Sequence, residues 1–312
     1  MGIAELYLSR SSLLFGGVEV PLERAEAVIV GVPFDYTSSY RPGSRFAPRA
    51  IREAAANIEF YSLRANLDVE NIGISDLGDI AVSSQPLETL QRIEQVTREL
   101  LENMQDKLLI VLGGEHTITL GVAKALAATR EQPLCLIVFD AHLDLRQEYM
   151  GEKYSHASVM RRVVEQVTSN IFYIGARAFT SEEFSYMRSH GLQMVTPQQA
   201  RLLGLAEIVR RIRNWAKSSE CKTLYISFDI DAYDPAYAPG AANPEPDGLE
   251  TWLALELLHR IIIEVPATIA VFDLVEVSPP YDCSWITSIL AAKTVVEAIA
   301  ANHVARRAAR QP

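Results

Sequence analysis

The chain has 312 residues, of which 49% are apolar and 22% charged, with a formal net charge of −10. That is enough apolar side chain for a sizeable core, and the charged share is too ordinary for a disordered chain. The acidic balance argues against a nucleic-acid or anionic-membrane surface, where basic clusters are expected, and suits cationic small molecules.

From the N-terminus onward, MGIAELYLSR lacks an apolar stretch behind a basic start, and Leu6 breaks the myristoylation pattern, so neither a signal peptide nor an acyl anchor is expected. Short apolar runs then follow: AVIVGVP (27–33), LLIVLGG (108–114), LCLIVFD (134–140), IFYIGA (171–176), TLYISFDID (223–231) and TIAVFDLVE (268–276). They are continuous rather than alternating, which predicts strands of a parallel sheet covered on both faces. None approaches the roughly 20 residues that span a bilayer. Helical periodicity lies between them. Residues 86–104 place Leu87, Leu90, Ile93, Val96 and Leu100 on one side, and 205–217 and 285–300 behave likewise. Strand and helix in alternation predict a single α/β domain around a mainly parallel sheet. The Pro- and Gly-rich stretch 236–248 directly follows a strand and reads as a functional loop. Cys135, Cys221 and Cys283 are widely spaced, with no C-x-x-C pair and no even disulfide set, so a reducing, cytoplasmic setting is expected.

Three of the predicted strands end in metal-ligand residues. GGEH supplies His116; DAHLD supplies Asp140, His142 and Asp144; DIDAYD supplies Asp229, Asp231 and Asp234. In extended chain, residues two apart point the same way, so each set can converge. Each motif alone has an ordinary reading. His116 fits a helix entry, and the D-x-D pair fits turn or cap chemistry. D-x-H-x-D resembles the start of an EF-hand loop but lacks Gly at its sixth position and a preceding helix. Their shared place at strand ends, where parallel sheets bind ligands, favours one site. Four carboxylates packed together repel unless protonated or paired with cations. A mixed carboxylate and imidazole set without Cys suits Mn²⁺ or another borderline first-row ion rather than structural zinc. Two such ions close together would bring the pKa of a shared water towards neutrality.

These motifs, GGEHTITLG (113–121), FDAHLDLR (139–146) and SFDIDAYDPAYAPG (227–240), resemble those of the ureohydrolases, the arginase and agmatinase family. GVPFDYTSSYRPGSRFAPRAIRE (31–53) and DLVEVSPPYD (273–282) extend the resemblance over nearly the whole chain. It implies a three-layer α/β/α sandwich and two Mn²⁺ per chain. One ion would be held by His116, Asp140, Asp144 and Asp229, the other by Asp140, His142, Asp229 and Asp231. His156 in YSHASVMRR resembles the family's proton-shuttling histidine, with Asp144 a further proton carrier, and Glu276 resembles the acid that clamps the substrate guanidinium. Asp234 and Glu115 take supporting positions. The implied reaction cleaves a guanidino compound to urea and an amine.

Within the family, residues 145–156 lack the Asn- and Ser-rich cluster that arginases use for an α-amino acid. This favours agmatine, giving putrescine in polyamine biosynthesis. Arg146 is expected to pair with Glu148 or Glu152. After APG the usual Thr-Gly-Thr-Pro is replaced by Ala241-Ala242-Asn243-Pro244, where Asn243 keeps a side chain able to donate and accept hydrogen bonds to substrate. The alternatives are arginase, guanidinobutyrase, guanidinopropionase or aminopropylagmatine ureohydrolase, a one-metal zinc deacetylase of related fold, or a non-catalytic assembly subunit. Homotrimers or homohexamers are implied. His190, His259 and His303 fall outside the motifs and are assigned surface or core roles; Tyr281 and Trp285 are assigned to packing.

Overall fold

The computed structural model, which describes residues 2–17, 20–104 and 106–310, turns each of the six apolar runs into a strand. The strands are β1 (Leu8–Ser9), β2 (Ala27–Val32), β3 (Tyr61–Ser62), β4 (Leu67–Asp68), β5 (Ile74–Ile80), β6 (Leu108–Gly113), β7 (Leu134–Phe139), β8 (Ile171–Ile174), β9 (Gln193–Val195), β10 (Thr223–Asp229) and β11 (Thr268–Val275). β3 and β4 form a small antiparallel ladder. The other nine make one sheet in the order β1-β5-β2-β6-β11-β10-β7-β8-β9. Only β1 runs antiparallel, on an edge.

The helices are α1 (Ile3–Tyr7), α2 (Ala47–Ala55), α3 (Pro86–Asn103), α4 (Thr119–Thr129), α5 (Val159–Gln166), α6 (Ser181–Ser189), α7 (Pro197–Leu203), α8 (Leu205–Ser218), α9 (Thr251–Glu264) and α10 (Ile286–Arg310). The last runs ten residues beyond its expected end. Alternate residues of each strand enter opposite cores, which is why the runs are continuously apolar. Ile29, Ile110 and Ile137 face a core shared with α2, α8, α9 and α10. Val28, Leu109 and Leu136 face one shared with α3, α4 and α5. Helices therefore cover both faces, and the architecture is a three-layer α/β/α sandwich.

β5 was not legible as a strand because its sequence, ISDLGDI, is interrupted by charge. Those charges are closed by Arg52 of α2, which is fully buried. Its guanidinium donates to both oxygens of Asp76 at 2.8 and 2.9 Å and to Asp79 at 2.6 Å.

The cysteine reading is corrected. Cys135 and Cys221 form a disulfide, with Cα atoms 5.8 Å apart across 86 residues of sequence. Cys135 lies in β7 and Cys221 just precedes β10, and the two strands are parallel neighbours. The pairing comes from sheet order, which linear spacing does not reveal, and it removes the ground for inferring a reducing compartment. Cys283 is free and exposed. Among the described residues no helix is long and apolar enough to cross a membrane.

Candidate metal centre and active site

Four adjacent strands, in the order β6, β11, β10, β7, deliver the candidate residues just beyond their carboxyl ends. β6 leads to Glu115 and His116, β11 to Glu276, β10 to Asp229 and Asp231, and β7 to Asp140, His142 and Asp144. Asp144 and Glu276 hold left-handed backbone conformations, with φ of 51° and 66°. Non-glycine residues adopt these at a cost of order 1–3 kcal/mol, and they persist where the surroundings enforce them.

His116 Nδ1 lies 3.1 Å from Asp140 Oδ2, 3.0 Å from Asp144 Oδ2 and 3.7 Å from Asp229 Oδ2. His142 Nδ1 lies 3.0 Å from Asp231 Oδ2 and 3.5 Å from Asp140 Oδ1. Two groups suited to a metal ion result, His116/Asp140/Asp144 and Asp140/His142/Asp231, and Asp140 belongs to both. On its far side, His116 Nε2 is 3.0 Å from Ser227 Oγ, and that hydroxyl donates to Asp273 Oδ1 at 2.7 Å. With the serine proton so committed, Nε2–H donates to Ser227 and Nδ1 is the nitrogen left to face the carboxylates, where a metal ion would displace its proton.

Electrostatics show how unbalanced this cluster is by itself. Burial raises the Asp144 pKa, and the charge of Asp140 adds to it, bringing it to about 7. Burial, with Asp231, Asp140 and Glu276 nearby, drives Asp229 well above the carboxylate range. Burial and the Glu115 charge do the same to Glu276. Burial would lower the two imidazoles, but Asp140 and Asp144 around His116, and Asp231 and Asp140 around His142, outweigh it and raise both. A cluster so arranged favours bound protons unless metal cations displace them. His116 Nδ1, Asp140 Oδ2 and Glu276 Oε2 are buried without hydrogen-bond partners. Orphaned lone pairs of this kind, on nitrogen and oxygen, fit divalent metal ions.

A cavity of about 280 Å³ opens above the cluster. His142, Asp144, Asp229, Asp231, His156 and Asn243 line it, while His116, Asp140 and Glu276 are buried behind its wall. Glu276 Oε1 accepts from His116 N at 2.7 Å. The loop carrying Asn243 is tied to the Glu276 segment by Ala242 N donating to Glu276 O, and by a bridge between Ala241 and Val277. Ala241 and Ala242 are fully buried, so the altered motif is packed against the site while Asn243 stays accessible. Burial, then the positive charges of His142 and His116, lowers the His156 pKa to about 4.

Other expectations sort differently. Asp234 accepts from Ala236 N and Gly248 N, closing its own loop. Arg146 does not reach Glu148 or Glu152. It lies over the Tyr149 ring at 4.8 Å, on the cavity wall, with Glu183 its nearest carboxylate at 3.9 Å. Tyr281 and Trp285 are exposed and outside the cavity. His190 stacks on Tyr186, His303 meets Glu26, and His259 is half-buried. Sequence reasoning gave no role to Thr37, Ser39, Tyr149 or Glu245, all at or beside the cavity; Thr37 and Ser39 sit in DYTSSY, whose polar run was the available signal.

Residues 25–301 match the model of the arginase family. The chain belongs to that family. It is 36% identical to the N(1)-aminopropylagmatine ureohydrolase of Thermococcus kodakarensis over 84% of this chain and 86% of that one. It is 36% identical to the agmatinase of Halalkalibacterium halodurans over 88% and 91%. The crystal structure of the agmatine ureohydrolase of Thermoplasma volcanium superposes with a TM-score of 0.84 at 34% identity, covering 96% of this chain and 97% of that one. This arginase-family member is therefore a ureohydrolase of agmatinase-like sequence, and the conserved architecture includes the sandwich described above.

Proposed function

We propose that this family member hydrolyses a guanidino compound to urea and an amine at a centre of two manganese ions, with agmatine giving putrescine as its principal reaction. The observation that carries this reading is Asp140, shared by two adjoining ligand groups, with its Oδ2 and His116 Nδ1 buried without hydrogen-bond partners. His116, Asp140, Asp144 and Asp229 would hold one ion, and Asp140, His142, Asp229 and Asp231 the other. When bound, two such ions lower the pKa of water and so supply a nucleophile at neutral pH. The chain's own residues do the rest. Glu276 Oε2, buried without a partner behind the cavity wall, would take a charge-assisted hydrogen bond from the guanidinium. Asn243 offers a donor and an acceptor from the cavity wall. Water oxygen joins the guanidinium carbon, one carbon–nitrogen bond breaks, and the departing amine takes a proton carried by Asp144 or His156, both on the cavity wall.

Agmatine is favoured by the acidic cavity and by the names of the relatives. One observation favours a second reading. The Arg146 guanidinium lines the cavity and makes no side-chain hydrogen bond among the described residues, so it is placed to receive the carboxylate of a guanidino acid. The test is urea release after manganese loading from agmatine, aminopropylagmatine, guanidinobutyrate, guanidinopropionate and arginine. Agmatine should have the highest kcat/KM, with two ions per chain by elemental analysis. A protein holding two ions that releases no urea from any of the five would sink the catalytic reading; a single ion would sink the binuclear centre.

A further inference from the structure

Resting on the reading that His156 handles a proton, we propose that Thr37 and Glu115 are positioning residues that set the tautomer of His156. Glu115 fixes the Thr37 hydroxyl, and the hydroxyl fixes the imidazole with its proton on Nδ1 and its lone pair on Nε2. Glu115 neighbours a metal ligand in sequence, but its carboxylate is engaged elsewhere. Oε2 accepts from Thr37 N at 2.8 Å, while Oε1 accepts from Thr37 Oγ1 at 2.5 Å and from Thr117 Oγ1 at 2.6 Å. The residue is fully buried. Gly114 permits the contact: a Cβ there would stand 1.9 Å from Phe34 O, the carbonyl that receives Glu115 N.

The assignment follows from counting protons. A hydroxyl has one to give and two lone pairs. Glu115 receives three donors, as an ionised carboxylate does, so the Thr37 proton goes to Glu115. One lone pair of Thr37 Oγ1 receives the backbone N–H of His156 at 3.0 Å. The other faces His156 Nδ1 at 3.3 Å, and with no proton left on the hydroxyl, Nδ1 must be the donor. Nε2 is then an acceptor, 3.2 Å from Ser39 Oγ on the cavity wall. The opposite tautomer would set two lone pairs against each other in a buried place, a desolvation penalty without a bond. Three segments far apart in sequence thus present one nitrogen to the cavity as a base.

Thr37→Val keeps the side-chain shape and removes the hydroxyl; Thr37→Ser restores it. With His156 as general acid–base, loss of its orientation should lower kcat by ~10- to 100-fold, part of the 10²–10⁴ such groups contribute. KM should stay within about twofold and manganese content at the wild-type level. Thr37→Ser should recover most of the rate. Independently of turnover, ¹⁵N NMR of the histidine rings in metal-free protein, with His156→Asn for assignment, should show Nδ1 protonated in wild type and in Thr37→Ser, and a mixed tautomer in Thr37→Val. Unchanged kcat and tautomer in Thr37→Val would overturn the proposal, as would loss of manganese with an unchanged tautomer. Should the wild type release no urea from any guanidino compound, the functional reading fails alone, and the ring spectra still decide the relay.

Discussion

Two acid clusters on the sheet are neutralised by opposite means. At β5, Asp76 and Asp79 meet the buried guanidinium of Arg52, which satisfies both acids from within the chain. At the centre, Asp140, Asp144, Asp229 and Asp231 have only imidazoles as charge partners and Glu276 has none; among the described residues no Lys or Arg lies within ion-pair distance of any of them. The first cluster is complete and holds β5 to α2. The second has no such internal counter-charge, and on the proposed reading cations from solution complete it. What separates a structural acid cluster from a functional one here is therefore the missing counter-charge, since burial is common to both.

Removing Asp140 attacks the open cluster at its shared member. Asp140→Ala should lose both manganese ions and lower kcat/KM by more than ~100-fold, because the ligand itself is removed where loss of an outer partner alone costs ~10–100-fold in affinity or activity. Elemental analysis beside urea release reads this directly, and near-normal turnover in the variant would break the comparison at its centre.

The closed cluster should fail in the other way. Arg52→Met leaves Asp76 buried without its counter-charge, a change that costs about 3–5 kcal/mol when a buried pair is broken, while the part-exposed Asp79 turns to solvent. Urea denaturation should show that loss as a lower midpoint. The folded fraction should still bind two manganese ions per chain, because β5 supplies no ligand. Loss of metal at full stability would show that the two clusters are not separate.

The same contrast explains what was legible in the sequence. Metal-ligand candidates stood out because D-x-H-x-D and D-x-D are local patterns at the ends of apolar runs, and extended chain turns such spacing into a common direction. The central strands were legible because both of their faces are buried. β5 was not, since Asp76 and Asp79 read as solvated until Arg52, 24 and 27 residues away, closes on them. Nor was the Cys135–Cys221 pair, which depends on β7 and β10 being neighbours. Thr37 lies 78 residues from Glu115 and 119 from His156, and only the fold brings these three together. The left-handed backbone of Asp144 and Glu276 has no composition signal at all.

A smaller effect sharpens the comparison from the side of a base. His156 sits beside the open cluster, and burial with its charged histidine neighbours holds its pKa at about 4, below the ordinary 6.5. A lowered pKa in the folded state means that the unfolded chain binds the extra proton first. The stability associated with neutral His156 is therefore fully present above pH 6.5 and is lost as pH falls towards 4, with a slope of ~1.4 kcal/mol per pH unit between those values. Denaturation of metal-free protein across this range should show His156→Asn with the shallower acid-side loss by about that slope. Parallel curves for the two proteins would mean that His156 is solvated enough to protonate in place, and the cavity wall would then be no barrier between the open cluster and water.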